Sequence, residues 1–272
     1  MVPGDIEAGL KLCRSAGWNQ LEEDWRIFLD LSPNGNAAAV NDSGDVVGTA
    51  ATVIYEDRFA WIGMVLVDPG YKRQGIGTKL LEQTLDILRD VDTVKLDATP
   101  AGREVYLKLG FRDEYVLSRM VVENPMFTYS DAADSMTEKD FPNIFSTDKN
   151  VFGASREVLL QNLLNRYRQG SFVIRSKENI SGYSFARKGY NFTQIGPVIT
   201  EQLHDAIRLT STALKNITGG CLLDVMHGSP FYEWLLSIGF TEQRKLIRMF
   251  KGSNKFPGNP SKQFAILGPE FG

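Results

Sequence analysis

The stretch Asp68–Leu88, DPGYKRQGIGTKLLEQTLDIL, places Gly75 and Gly77 around Ile76 where an extended run gives way to a helical one. A helix opens with unpaired backbone N–H groups at the positive end of its dipole, so this point attracts phosphate. Glycine removes the Cβ that would hold an anion away, and it tolerates a left-handed backbone. Lys72 and Arg73 add two cations beside the turn, and Lys79 a third one turn into the helix. Together they describe a pyrophosphate cradle built from amides first and side-chain charge second. A dinucleotide fingerprint does not fit, because Leu80 stands where the third glycine belongs. A Walker loop does not fit either, since no Gly-Lys-Ser/Thr ending follows. Taken alone, two glycines are also what an ordinary turn needs.

A longer match separates the two readings. VDPGYKRQGIGTKLL resembles the acyl-CoA-binding motif of the GNAT superfamily of N-acetyltransferases, with Val67, Pro69, Gly75 and Gly77 in register. Lys72 stands where Arg or Gln is usual, which keeps the charge and loses the bidentate fork. Further on, TPAGREVYLKLGF resembles a second GNAT motif: Tyr106, Gly110 and Phe111 match, while Thr99 and Gly102 replace Asn and Ala. The resemblance implies acetyl-CoA as cosubstrate. Leu66 and Val67 would hold the pantetheine arm through their backbone, on a strand that splays from its neighbour. Lys72, Arg73, Gln74, Gly75, Ile76, Gly77 and Thr78 would hold the pyrophosphate. A small-molecule primary amine would attack the acetyl carbonyl directly in a ternary complex, with proximity supplying most of the acceleration.

That chemistry has two proton problems. An alkylamine with a pKa near 10.4 is neutral in only about one molecule per thousand at pH 7, so a proton acceptor is needed. Asp97, at the end of the strand TVKLDAT, is the candidate base, although its counterpart Asp224 in the second half points to a structural role as well. The departing thiolate needs a proton or a strong hydrogen bond, and the resemblance gives that role to Tyr106. Glu22, Glu23 and Asp24 could attract a cationic amine or simply face solvent, and Trp18, Trp25 and Trp61 could line a pocket or fill a core. His204 and His227 are assigned no chemistry. A non-catalytic acyl-CoA sensor is the alternative function, disfavoured by the presence of Tyr106.

The elements that must position these residues follow from periodicity. DIEAGLKLCRSAG and LEEDWRIFLDL read as helices, NAAAVND, VVGTAATVIY and FAWIGMVLV as strands, and TKLLEQTLDILRD as the helix after the glycines. A strand, a short helix and the strand FRDEYVLSRMVV follow. The order then repeats: KLDATPAGREVYLKLGF stands against LLDVMHGSPFYEWLLSIGF, and WIGMVLVDP against QIGPVIT. Asp97 falls opposite Asp224 and Gly63 opposite Gly196, but the second copy runs from GPVIT straight into EQLHDAIRL without the glycine pair, and Leu235 replaces Tyr106.

The expected architecture is therefore α/β (α+β), two tandem GNAT-like domains, each with a mixed, mostly antiparallel sheet flanked by helices. Residues 1–124 carry the acyl-CoA motif, 125–134 form a linker, 135–252 a degenerate second domain, and 253–272 an irregular extension. The chain as a whole resembles bacterial tandem-GNAT proteins whose second domain is degenerate. That second domain would wall the acceptor cleft or mediate pairing into a homodimer.

Composition bounds the rest. A net charge of -3 argues against a nucleic-acid partner, and the lack of a long apolar run argues against a membrane span. Two distant cysteines, Cys13 and Cys221, with two histidines, offer no zinc spacing and no disulfide framework, which fits a cytoplasmic protein.

Overall fold

The computed structural model describes residues 1–125, 131–176 and 179–272. Helices α1 (Ile6–Ser15) and α2 (Glu22–Leu31) turn apolar stripes onto the strands that follow, burying Ile6, Leu12 and Cys13 from one and Trp25, Ile27 and Phe28 from the other. Those strands are β1 (Ala37–Val40), β2 (Val46–Tyr55) and β3 (Phe59–Val67). β2 and β3 are apolar almost throughout because both of their faces are covered. The glycine-bearing loop leads into α3 (Ile76–Ile87), then β4 (Thr93–Ala98), α4 (Pro100–Lys108) and β5 (Arg112–Val122).

The second half repeats the plan with β6 (Asp134–Ser135), α5 (Phe141–Phe152), α6 (Glu157–Tyr167), β7 (Phe172–Ser176), β8 (Asn179–Arg187) and β9 (Thr193–Thr200). It continues with α7 (Leu203–Asn216), β10 (Cys221–Met226), α8 (Pro230–Ser237), β11 (Thr241–Gly252) and β12 (Gln263–Ala265). Within the expected linker, residues 126–130 lie outside the described residues. The remainder packs on α7: the Ala133 amide donates to Thr212 Oγ1, and Arg208 donates to the Ala132 carbonyl. Helix α5 has no counterpart in the periodicity reading. Its stripe of Phe141, Ile144, Val151 and Phe152 is interrupted by buried Asp148.

The described strands form one continuous sheet in the order β1-β2-β3-β4-β11-β5-β10-β12-β9-β8-β7-β6. It is mixed and mostly antiparallel, with parallel pairing only between β3 and β4 and between β9 and β10. The closing strands are exchanged. β11 lies beside β4, and β5 lies beside β10, so each half is completed by the other's last strand. The division at 124 and 135 describes the sequence; the sheet crosses it.

Two directly opposed ion pairs seal the exchange. Arg248 of β11 faces Asp97 of β4, donating to both carboxylate oxygens at 2.8 Å. Arg119 of β5 faces Asp224 of β10 at 2.8 and 2.7 Å. All four side chains are buried. The largest apolar cluster is likewise shared, joining Trp25, Phe28 and Trp61 of the first half to Phe152, Leu160 and Phe185 of the second, with Leu267 and Phe271 between them.

The segment after β11 is not irregular throughout. β12 inserts between β9 and β10, pairing Ala265 with both Val198 and Val225, and the chain then runs on into the first half. Gly63 is there because that segment passes it closely: a Cβ on Gly63 would lie 2.7 Å from the Glu270 carbonyl oxygen. At its repeat, Gly196, a Cβ would collide with the Ile266 carbonyl.

Candidate active site

β3 and β4 pair only at Ala60↔Val94 and Trp61↔Lys95, then diverge. From Ile62 to Val67 one edge of β3 is therefore unpaired. Toward β2 the register slips between Thr49↔Leu66 and Ala51↔Gly63, and Met64 takes a left-handed backbone at φ 53°. Thr49 Oγ1 fixes this bulge by donating to the Met64 carbonyl at 2.8 Å. A bulge bends its strand and re-aims the backbone; here it does so at the mouth of the splay.

A groove of about 360 Å³ follows the splay outwards. Val65 and Val67 form its floor, and Lys72, Arg73, Gly75, Ile76, Gly77 and Thr78 its far end. Gly75 caps α3 from the left-handed region at φ 81°, which leaves the first-turn amides of the helix facing the groove. Lys72 and Arg73 are exposed beside them. The residues present thus fit a phosphorylated pantetheine carrier: amides and cations at one end, an unpaired strand edge along the middle. Two expected residues stand outside this lining. The Leu66 side chain turns into the core, leaving only its backbone available, and Gln74 is exposed with its amide toward the Gly70 carbonyl. Tyr71, Thr99, Gly102 and Val105 line the groove in addition. Thr99 caps α4, its side-chain oxygen accepting from the Gly102 amide at 3.1 Å.

Tyr106 closes the inner end. Its ring packs edge-on to Phe111 at 5.8 Å, and burial pushes its hydroxyl up to about 12. Behind it opens a second, smaller hollow of about 50 Å³, lined by Trp18, Gln20, Ile62, Gly63, Met64, Val65, Leu96, Asp97, Arg119, Arg244, Pro269 and Glu270. Val65 and Tyr106 belong to both hollows, so groove and cleft meet there.

The charged groups of the cleft differ in how they are held. Both Asp97 oxygens are taken by Arg248. Glu270 is buried, with one oxygen against Arg187 and the other, Oε2, without a hydrogen-bond partner. Arg187 also donates to Asp24 Oδ1 at 2.8 Å, and Arg166 donates to the same oxygen at 3.0 Å. Asp24 is thus a buried structural acid, while Glu22 pairs with Arg26 on the surface. Of the three tryptophans considered, Trp18 lines the cleft, whereas Trp25 and Trp61 are core residues. Arg119, Arg244 and Glu270 escaped the sequence reading. They reach the cleft through the strand exchange and the returning segment, and no local pattern announces either.

Among the described residues the second half has no matching site. β12 fills the splay between β9 and β10, in the place that β3 and β4 leave open. At the start of α7 stand Glu201 and Asp205 rather than cations.

Residues 8–111 match the acetyltransferase (GNAT) family, and residues 144–265 match the acetyltransferase (GNAT) domain. The chain is 28% identical over 264 residues to a holothin acyltransferase of Pseudoalteromonas sp. (strain SANK 73390), covering 94% of this chain and 87% of that one. It is 24% identical over 235 residues to an uncharacterized N-acetyltransferase, YitH, of Bacillus subtilis (strain 168), covering 85% and 83%. Among solved structures, a protein of Pyrococcus horikoshii superposes with a TM-score of 0.83 at 23% identity, over 100% of this chain and 94% of that one. A tandem GNAT protein from the clavulanic acid biosynthesis pathway superposes with a TM-score of 0.62 at 14% identity, covering 93% and 97%.

Proposed function

Since both halves of the chain belong to the GNAT superfamily of acetyltransferases, we propose that its first half transfers an acetyl group from acetyl-CoA to the primary amine of a small molecule, by direct attack in a ternary complex. The observation that carries this reading is the meeting of groove and cleft at Val65 and Tyr106. One hollow offers cations, helix amides and a free strand edge, the other is a small cleft lined by charged groups, and a phenol stands between them.

The residues divide the work as follows. Lys72, Arg73 and the first amides of α3 bind the phosphates, while the unpaired edge of β3 aligns the pantetheine arm and its thioester. An ammonium entering the cleft loses a proton to Glu270 Oε2, the cleft carboxylate oxygen that no protein group occupies. The neutral amine attacks the carbonyl carbon, a C–N bond forms, and the C–S bond breaks. Tyr106, which stays protonated at neutral pH, donates a hydrogen bond to the leaving sulfur. The second amine proton passes to the departing thiolate by way of the Tyr106 hydroxyl while Glu270 returns its proton to solvent, and the products are an amide and free CoA thiol. Asp97 positions: through Arg248 it holds the wall of the cleft.

A thermal titration with acetyl-CoA tests the binding half. Gly77 suits the control substitution, because a Cβ there meets only Val67 Cγ2 at an ordinary 3.6 Å. Wild type should show a concentration-dependent rise in Tm, and Gly77→Glu should lose it without losing the fold. Tyr106→Phe should keep the rise yet release thiol about a hundredfold more slowly with an accepted amine. A wild-type protein that is folded and indifferent to millimolar acetyl-CoA would overturn the reading.

A further inference from the structure

We propose that the acceptor is a small amine that carries its own carboxylate, and that Arg244 holds that carboxylate. The inference rests on the acyl-transfer reading above and names the substrate class of the same cleft.

Every other charge around the cleft is paired. Asp97 is matched by Arg248, Asp224 by Arg119, and Asp24 and Glu270 are shared between Arg187 and Arg166. Arg244 is left over. It makes no hydrogen bond or ion pair with the described residues, and its Nε is buried without a partner. Its cross-strand neighbour is another cation, Arg119, and like charges in that position destabilise a sheet. Burial, followed by the charge of Arg119, presses the Arg244 pKa down to about 10 against the opposing pull of Asp224 and Glu270, neither of which it hydrogen-bonds.

The backbone aims this residue. β11 carries a bulge between Glu242 and Arg244, which breaks the alternation and turns Arg244 into the cleft beside Trp18, Leu96 and Tyr106. Arg244 is absent from the groove that holds Lys72 and Arg73, so the CoA phosphates do not supply its anion. A planar guanidinium with free donors fits a carboxylate bidentately. Glu270 Oε2 stands in the same chamber with the opposite sign, which suits the ammonium end of the same molecule.

Matched probes separate the carboxylate from the amine: L-phenylalanine against L-phenylalaninamide, and 4-aminobutyrate against 1-aminobutane. Wild type, Arg244→Gln and Arg244→Lys are assayed for acetyl-CoA-dependent thiol release, and for the Tm change each probe causes in the presence of CoA. The acid member of at least one pair should be turned over or bound. Arg244→Gln should weaken that acid about a hundredfold while changing its neutral partner no more than about threefold, and Arg244→Lys should recover part of the loss. Comparing each acid-to-neutral ratio between variants cancels the difference in amine basicity within a pair.

The proposal falls if wild type neither turns over nor binds any acid probe, or if it prefers the neutral member of both pairs. It also falls if Arg244→Gln lowers both members equally, which would place the guanidinium on the thioester instead. The acetyl-CoA-dependent Tm rise should be the same in all three proteins. Its absence from wild type would sink the acyl-transfer reading itself, a different failure from a lost acid preference.

Discussion

At the scale of single residues, burial decides what each ionisable group can do. Desolvation keeps the proton on Tyr106, which suits the donor role proposed for it, and the residue stands out in the sequence because it sits inside a spaced motif. Glu270 was not legible, since nothing around it repeats and its partners lie far off in the chain. Lys95 shows the same physics acting against stability. It is buried, its Nζ donates to the Phe256 carbonyl at 3.2 Å and sits 5.0 Å from the Phe59 ring, and burial lowers it from 10.5 to about 8. Between about pH 8 and 10.5 the unfolded chain therefore holds more protons at this site than the folded one. Stability from this site rises with pH across that window, and below it the full penalty is present, of order 3 kcal/mol. Lys95→Met should stabilise the protein at pH 7 by roughly 1–2 kcal/mol after losing the hydrogen bond and ring contact. Denaturant unfolding of both proteins should show that advantage shrinking towards pH 10.5; an advantage constant with pH would refute the titration argument.

At the scale of elements, most strands and helices were readable from periodicity, and their pairing was not. β5 and β11 carry nearly the same words, LSRM and LIRM, so either could close either half. What selects the exchange is registry between strands distant in sequence, and that leaves no local trace. The exchange also explains why both halves keep an aspartate: each meets the arginine of the strand it receives from the other half. β12, only three residues long, is similarly silent in sequence, yet it occupies the place in the second half that stays open in the first. The Asp97–Arg248 pair is bidentate and buried, so removing one partner strands a charge. Asp97→Leu or Arg248→Met alone should cost about 3–5 kcal/mol by denaturant unfolding, and the double variant Asp97→Leu/Arg248→Met should recover most of that. The cycle would then report a large coupling; simple additivity of the two single variants would show that the pair does not bind the halves together.

At the scale of the whole molecule, the duplication has become one cooperative body. The sheet is continuous, the largest core draws on both halves, and the candidate chemistry sits where they meet, with Tyr106 and Leu96 from one side and Arg244 and Glu270 from the other. The second half thus contributes walls and charges while its own splay is filled by β12. The arrangement was only partly foreseeable: the repeat and the missing glycine pair are plain in the sequence, but not that the degenerate half completes the intact one. Two consequences follow for unfolding. Residues 1–124 alone would leave β4 without β11, Asp97 without Arg248, and the apolar faces of Trp61 and Phe28 uncovered. That fragment should be insoluble or molten, whereas co-expression with residues 125–272 should restore a folded complex, since each piece holds the other's missing strand. The intact chain should unfold in a single calorimetric transition with matching calorimetric and van't Hoff enthalpies, despite its duplicated halves. Acetyl-CoA, the ligand proposed for the first half, should then move the whole transition upwards by about 2.7 kcal/mol of stabilisation at a hundred times Kd. Two resolved transitions, with only one responding to acetyl-CoA, would mean that the exchanged strands do not couple the halves.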